Sequence, residues 1–162
     1  MEIVKGDLIK LAEAGVFDVI VHGCNCFCTM GSGIARTIRD NYPQAYAADN
    51  RTTRGDVNKL HTYTFSEVGT TNKFTVVNAY TQYRYNQSGA MIDLFEYDSF
   101  ASILASLAVK YPSKRFGFPM IGMERAGGDR IRILNMLSEF AKTVISTGGN
   151  VTLVEYNGVV NK

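Results

Sequence analysis

The sequence predicts a layered α/β fold in which helices cover both faces of a central sheet. Segments with the character of strands alternate with segments whose apolar residues recur at helical spacing, and this alternation predicts such a sheet. Residues 19–21 are uniformly apolar, which is typical of a parallel strand buried on both faces. With 162 residues, the chain is long enough for one domain, residues 1–162, with a sizeable core.

The first half of the chain is predicted to contain four strands and two helices. In order these are a strand at 2–4, a helix at 8–14, a strand at 18–23, a helix at 32–41 and strands at 61–67 and 74–80. Asp7 suits the N-cap of the first helix, and Gly15 suits its end. We expect Pro43 to stop the second helix. The turn at 69–72 joins the last two strands into a hairpin.

The second half of the chain is predicted to contain two longer helices and two strands. Residues 95–110 and 129–147 are helical, and residues 115–119 and 150–156 form strands. Apolar residues fall on one face of each helix, namely Phe100, Ile103, Leu104 and Leu107 in one and Leu134, Leu137, Ala141 and Val144 in the other. These faces are spaced for burial against the sheet.

Charge and cysteine content exclude several classes of protein. The net charge is +2 with no basic block, so general nucleic-acid binding is disfavoured. No run approaches the roughly 20 apolar residues of a membrane span, and the N-terminus lacks the features of a signal peptide. The three cysteines lie within residues 24–28 and cannot form a disulfide framework. We therefore expect a cytoplasmic protein with no membrane partner, and a monomer.

Polar, glycine-rich residues follow three predicted strands, at 22–33, 79–82 and 122–129. We call residues 22–33 the first loop and residues 122–129 the second loop. Sheets of this kind bind ligands outside the carboxyl ends of their strands. Glycine-rich turns and helix N-termini present backbone N–H groups to anions. Two such loops beside His22 and Asn25 indicate a nucleotide-like ligand.

These motifs resemble those of macrodomains. The resemblance rests on residues 6–9, 22–25, 30–35, 77–82, 119–122 and 126–129, which keep the family order and cover nearly the whole chain. It implies a three-layer α/β/α sandwich with a mixed sheet, and a cleft for ADP-ribose with no cofactor and no metal. The form of the first loop is most similar to the branch that includes ADP-ribose-1″-phosphate phosphatases and related ADP-ribosyl hydrolases.

The resemblance also implies roles for individual residues. Asp7 would accept a hydrogen bond from the adenine amino group with Leu8 beside it, and Tyr156 would stack on adenine. Asn25 would hold the hydroxyls of the distal ribose. The loop over that ribose and the diphosphate would consist of Gly31, Ser32, Gly33 and Ile34, and the second phosphate loop of Gly122, Met123, Glu124 and Arg125.

One pair departs from the family pattern. Many macrodomains have glycine and an apolar residue where this chain has Glu124 and Arg125. We expect Arg125 to help bind the diphosphate and Glu124 to point away from it.

Three residues are candidates for catalysis at the distal ribose. Asn25 would orient the sugar, while His22 and Asp129 would assist water attack and leaving-group protonation, since histidine titrates near neutral pH. Simpler roles stay open. Asp7 and Asp129 could be helix N-caps, His22 could bond to nearby backbone, and Tyr156 could be an ordinary strand aromatic.

A zinc site has to be considered because four potential ligands alternate along the chain, namely His22, Cys24, Cys26 and Cys28. In an extended strand, four ligands at every second residue would span about 20 Å, whereas zinc–sulfur bonds are about 2.3 Å long. We therefore expect no metal here and small buried cysteines instead. A nucleophilic cysteine with His22 as base is an alternative supported only by proximity.

The sequence leaves several functions open. We expect a phosphatase acting on ADP-ribose-1″-phosphate. The alternatives are a hydrolase that removes ADP-ribose from protein or nucleic acid, a module that binds ADP-ribose without turnover, and an interaction scaffold with an empty cleft. Residues 82–84 could close over the ligand or form an ordinary surface loop.

Overall fold

A computed structural model describes residues 1–85 and 92–157, so residues 86–91 and 158–162 of the predicted domain lie outside the described part. Its strands are β1 (Glu2–Gly6), β2 (Val19–Cys24), β3 (Tyr63–Val68), β4 (Phe74–Tyr80), β5 (Arg115–Phe118) and β6 (Asn150–Tyr156). Its helices are α1 (Leu8–Glu13), α2 (Gly33–Asn41), α3 (Pro43–Asn50), α4 (Tyr97–Lys110) and α5 (Arg130–Ser146), and Val57–Lys59 form a 3₁₀ turn. None of these helices is long and apolar enough to span a membrane.

The six strands form one mixed sheet in the order β1-β6-β5-β2-β4-β3. Strand β3 pairs antiparallel with β4 in the predicted hairpin, and the other pairs are parallel. The carboxyl ends of β1, β2, β4, β5 and β6 therefore lie at one edge of the sheet. In the β2–β4 register, His22 is opposite Asn78.

Helices cover both faces of the sheet, as predicted. The core on one face joins α4 and α5 to the sheet through residues such as Ile103, Leu137 and Val21. The core on the other face joins α1, α2 and α3 to the sheet through Leu8, Ile38, Ala45 and Ile20. Val21 and Ile20 belong to different cores because successive side chains of a strand point to opposite faces.

Helix α3 is the main element that the sequence did not predict. Helix α2 ends at Asn41 as expected, but Pro43 is the first residue of α3 and not merely a stop. Proline is well suited to this position because the first helical N–H has no partner within the helix and the φ angle of proline is already helical. Helix α3 packs against β3 and β4.

Candidate functional site

A cleft of about 450 Å³ lies at the carboxyl ends of β2 and β5. The first loop and the start of α2 line one side, and residues 119–122 and 124–126 line the other. Thr81, Gln82 and Tyr85, which follow β4, complete the rim. The structure thus brings together residues from the ends of three neighbouring strands, as the sequence predicted.

Asn25 organises the first loop from within. Its Oδ1 accepts a hydrogen bond from the backbone N–H of Phe27 (2.8 Å), and its Nδ2 donates to Oγ1 of Thr29 (2.7 Å). Cys28 and Met30 adopt left-handed φ angles of 58° and 40°, which turn the chain twice in three residues. Asn25 also lines the cleft, so its local bonds and its predicted contact with a ribose are compatible.

The first loop leads into the N-terminus of α2. The N-cap Ser32 makes no side-chain bond to the first turn of the helix. The predicted residues Gly31, Ser32, Gly33 and Ile34 all line the cleft. Free N–H groups and the positive end of the helix dipole make this wall a site for an anion.

The second loop depends on glycines where the chain packs closely. At Gly122, with φ at 75°, a Cβ atom would lie 2.5 Å from Cδ1 of Phe95. At Gly127, with φ at 69°, it would lie 2.4 Å from the carbonyl oxygen of Ile92. The N–H of Gly128 donates to the carbonyl of Gly122 (2.7 Å) and closes the loop.

The charged pair of the second loop lies at the cleft. Arg125 and Glu124 both line it, and the direction expected for Glu124 stays a prediction. Gly122 also lines the cleft, whereas Met123 packs against the core beneath α4 and α5. The second loop therefore places one basic and one acidic residue at the edge of the cleft.

His22 is not among the residues that line the cleft. The side chain is fully buried, and its Nε2 bonds to Oδ1 of Asn78 (2.6 Å). Burial lowers the pKa of His22 to about 4, although the bond to Asn78 opposes the shift. The structure shows His22 as a buried partner of Asn78, and a part in catalysis stays a prediction.

Asp129 caps helix α5. Its Oδ1 accepts a bond from the backbone N–H of Arg132 (3.1 Å), and its own N–H donates to Oη of Tyr97 (2.8 Å). Asp129 is exposed and is not among the residues that line the cleft. The structure shows the N-cap role, and a part in catalysis stays a prediction.

The residues predicted to bind adenine lie at the same edge of the sheet but beyond the cleft. Asp7 caps α1, and its Oδ1 accepts bonds from the N–H groups of Ile9 and Lys10 (both 3.1 Å). Leu8 is buried in the core below α1, and Tyr156 at the end of β6 is 54% exposed. Because β1 is three strands from β2, Asp7 stands about 14 Å from the first loop. The adenine contacts stay predictions.

Asp49 is a cleft residue that the sequence did not reveal. It belongs to α3, is only 1% exposed and lines the cleft. Its Oδ1 accepts a bond from Oη of Tyr80 (2.8 Å), whereas Oδ2 has no partner within residues 1–85 and 92–157. Burial raises the pKa of this carboxyl group. A prediction of α3 would have placed Asp49 near the loop.

Some residues of the segment after β4 line the cleft, and others pack beneath the first loop. Gln82 and Tyr85 line the cleft. Tyr83 instead packs edge-on against Phe27, with ring centroids 5.0 Å apart, and its hydroxyl donates to the carbonyl of Gly55 (2.9 Å). Residues 82–84 therefore form part of the rim and part of the support beneath the first loop.

The three cysteines point in different directions. Sγ of Cys24 lies 3.7 Å from Nε2 of His22, Cys26 bonds to the carbonyl of Gln82, and Cys28 bonds to the carbonyl of Asp49. Burial raises the pKa of Cys24 well above its usual range and that of Cys26 to about 11. These two thiols are protonated at neutral pH, which does not suit a nucleophile. No group of three potential metal ligands converges in the described part of the chain.

Comparison with known proteins places this chain among macrodomain folds. No protein-family model matches it. An uncharacterised 17.5 kDa protein from the tk-vs intergenic region of Enterobacteria phage T4 is 34% identical over 126 residues, 76% of each chain. A macrodomain protein from Streptomyces coelicolor is 23% identical over 98% of this chain and 99% of that one, with a TM-score of 0.69.

A macrodomain from Trypanosoma brucei, solved in complex with ADP-ribose, is 13% identical, with a TM-score of 0.65. The match covers 96% of this chain and 63% of that one. The chain therefore has the macrodomain fold and belongs to the same family as the phage T4 protein.

Proposed function

We propose that the protein binds ADP-ribose in the cleft between the first and second loops. The observation that carries this proposal is the convergence of two glycine-rich loops, one from each helical layer, on a single cleft. The uncapped N-terminus of α2 offers N–H groups to a diphosphate, and Arg125 adds a cation from the opposite side. The macrodomain of similar fold that was solved with ADP-ribose supports this choice of ligand.

The proposed ligand would lie along the carboxyl edge of the sheet. Its diphosphate would rest between the two loops, and its distal ribose would lie by Asn25, whose Nδ2 carries a second N–H beyond the one given to Thr29. The adenine would extend past β6 towards Asp7. Both capping bonds of Asp7 end on Oδ1, so its second oxygen can accept from the adenine amino group.

For the reaction, we propose removal of the phosphate from ADP-ribose-1″-phosphate. The form of the first loop supports this choice. The second candidate is a module that binds ADP-ribose without turnover, which is favoured by the position of His22 and Asp129 outside the cleft. A hydrolase that releases ADP-ribose from modified protein would use the same cleft.

Calorimetric titration with ADP-ribose tests the binding proposal. We expect Arg125→Met to weaken binding about 10- to 150-fold, because a hydrogen bond to a charged group contributes about 1.5–3 kcal/mol. The control is Arg130→Met, which removes the same charge from an exposed residue that does not line the cleft. If ADP-ribose neither binds nor raises the melting temperature, the proposal is wrong and the scaffold alternative stands.

Incubation with two substrates tests the reaction. Release of inorganic phosphate from ADP-ribose-1″-phosphate supports the phosphatase, and release of ADP-ribose from ADP-ribosylated protein supports the hydrolase. Tight binding of ADP-ribose without release of either product supports the module that binds ADP-ribose without turnover.

A further inference from the structure

A row of five polar side chains runs beneath the first loop and ends at the wall of the cleft. It consists of His22, Asn78, Thr64, Tyr80 and Asp49. The successive distances are 2.6 Å from Nε2 of His22 to Oδ1 of Asn78, 3.0 Å from Nδ2 of Asn78 to Oγ1 of Thr64, 3.1 Å from there to Oη of Tyr80, and 2.8 Å to Oδ1 of Asp49. All but the half-buried Thr64 are almost fully enclosed.

The hydrogen atoms in this row can point in only one direction. The amide nitrogen of Asn78 only donates, so Oγ1 of Thr64 accepts from it and gives its own hydrogen to Tyr80. Tyr80 in turn gives its single hydroxyl hydrogen to Asp49. At the other end, Oδ1 of Asn78 only accepts, so Nε2 of His22 is the donor. Every hydrogen bond within the row thus points towards Asp49, and such aligned bonds strengthen one another.

The second oxygen of Asp49 lacks a donor. Oδ2 is enclosed, and no group in residues 1–85 or 92–157 bonds to it. The ammonium group of Lys59 is near, but it donates to the carbonyl of Cys26 (3.1 Å) and contacts Sγ of Cys28 (3.4 Å). Buried polar atoms almost always have a partner, and leaving one without costs free energy. Because Asp49 lines the cleft, we look for this partner in a ligand bound there.

The missing partner must carry a hydrogen atom to donate. A phosphate does not fit, because both it and a carboxylate are anionic acceptors. In ADP-ribose the donors are the ribose hydroxyls and the adenine amino group, and the proposed adenine position near Asp7 is about 14 Å from the first loop. The distal ribose is proposed to lie beside Asn25, which lines the same cleft as Asp49.

We propose that Asp49 is a specificity-determining residue that accepts a hydrogen bond from a hydroxyl of the distal ribose. Tyr80 and, through Asn78 and Thr64, His22 are positioning residues that fix the orientation of the carboxylate. This inference rests on the proposed binding of ADP-ribose. It gives His22 a role in the site without contact with the ligand.

Calorimetric titration of ADP-ribose and ADP tests the inference, because ADP lacks the distal ribose. For Asp49→Asn we expect about 10-fold weaker binding of ADP-ribose, since a charged acceptor forms a hydrogen bond about twice as strong as a neutral one. The affinity for ADP should change less than about 2-fold, within the variation expected from a change of charge alone. The control Asp40→Asn removes one charge from an exposed position on α2 and should leave the ratio of the two affinities unchanged.

A second variant keeps the test decisive if Asp49→Asn does not fold. Tyr80→Phe removes only the hydroxyl that donates to Oδ1 of Asp49. We expect this variant to weaken the binding of ADP-ribose by a smaller factor than Asp49→Asn does, and to leave the affinity for ADP unchanged. If the variants lose the same affinity for both ligands, or lose none, the inference is wrong. The proposed function is then still supported as long as the wild type binds ADP-ribose. A wild type that binds both ligands equally also overturns the inference alone. A wild type that binds neither overturns the proposed function and the inference with it.

Discussion

Acidification from pH 7 to pH 5 is expected to remove about 2 kcal/mol from the free energy of unfolding through His22 alone. The folded protein holds the pKa of this side chain at about 4, against 6.5 in the unfolded chain, because burial disfavours the charged imidazolium. The difference corresponds to about 3.4 kcal/mol in total, of which roughly 1.8 kcal/mol falls between pH 7 and 5. The sign follows from the lowered pKa: the unfolded chain binds the proton first, so this stability is present above pH 6.5 and is lost as the pH falls towards 4.

Urea denaturation of the wild type and of His22→Gln at pH 7, 6 and 5 measures this contribution. The glutamine amide can still donate to Oδ1 of Asn78 but has no proton to gain in this range. Burial raises the pKa of Asp49, which opposes the loss as the pH falls, but Asp49 is present in both proteins and its contribution cancels in the comparison.

We expect the wild type to lose roughly 2 kcal/mol more than the variant, with unchanged m-values. Parallel pH profiles for the two proteins would refute the reasoning, because they would show that His22 accepts a proton in the folded state as easily as in the unfolded chain.

Two further substitutions, each with a matched control, test packing at the loops and beneath them. Gly122→Ala should destabilise the protein by about 2–4 kcal/mol in urea denaturation, because the left-handed backbone and the contact with Phe95 both penalise a Cβ atom. Gly148→Ala, with a left-handed φ of 94° but only an ordinary contact with Oγ of Ser113 at 3.8 Å, should lower the free energy of unfolding by only about 1–2 kcal/mol, and equal losses would contradict the steric argument. Ile38→Ala, at a fully buried position on α2, should cost about 2–5 kcal/mol. Ile34 is half-buried one turn earlier, so Ile34→Ala should destabilise the protein clearly less. If thermal melts show a greater loss for Ile34→Ala than for Ile38→Ala, the assigned buried face of α2 is wrong.

The sequence predicted the strands well because each has a strong local signal. Residues 19–21 are apolar without interruption, and the 69–72 turn separates the two strands of the hairpin. Helix α3 was missed because Pro43 stops one helix and starts another within three residues. A proline that follows a helix carries the same local signal whether the chain turns away or begins again.

The sequence placed site residues correctly where they project from the sheet, but not where another layer covers them. Gly31, Ser32, Gly33 and Arg125 were placed correctly because loops at strand ends project from the sheet. His22 was not, since residues 20, 22 and 24 share one face of β2 and that face is covered by the α1–α3 layer. Asn78, the partner of His22, donates to the carbonyl of Ala45 in α3. Without α3, nothing in the sequence showed that His22 is enclosed.

The two walls of the cleft are anchored in separate cores. The first loop is anchored through Cys26 and Met30 on the α1–α3 side, and the chain around the second loop through Ile121 and Ala126 on the α4–α5 side. A ligand that contacts both walls would therefore link the two helical layers across the sheet. Partial opening of either layer would require its release, so amides in both layers should exchange with solvent more slowly and together when the ligand is bound.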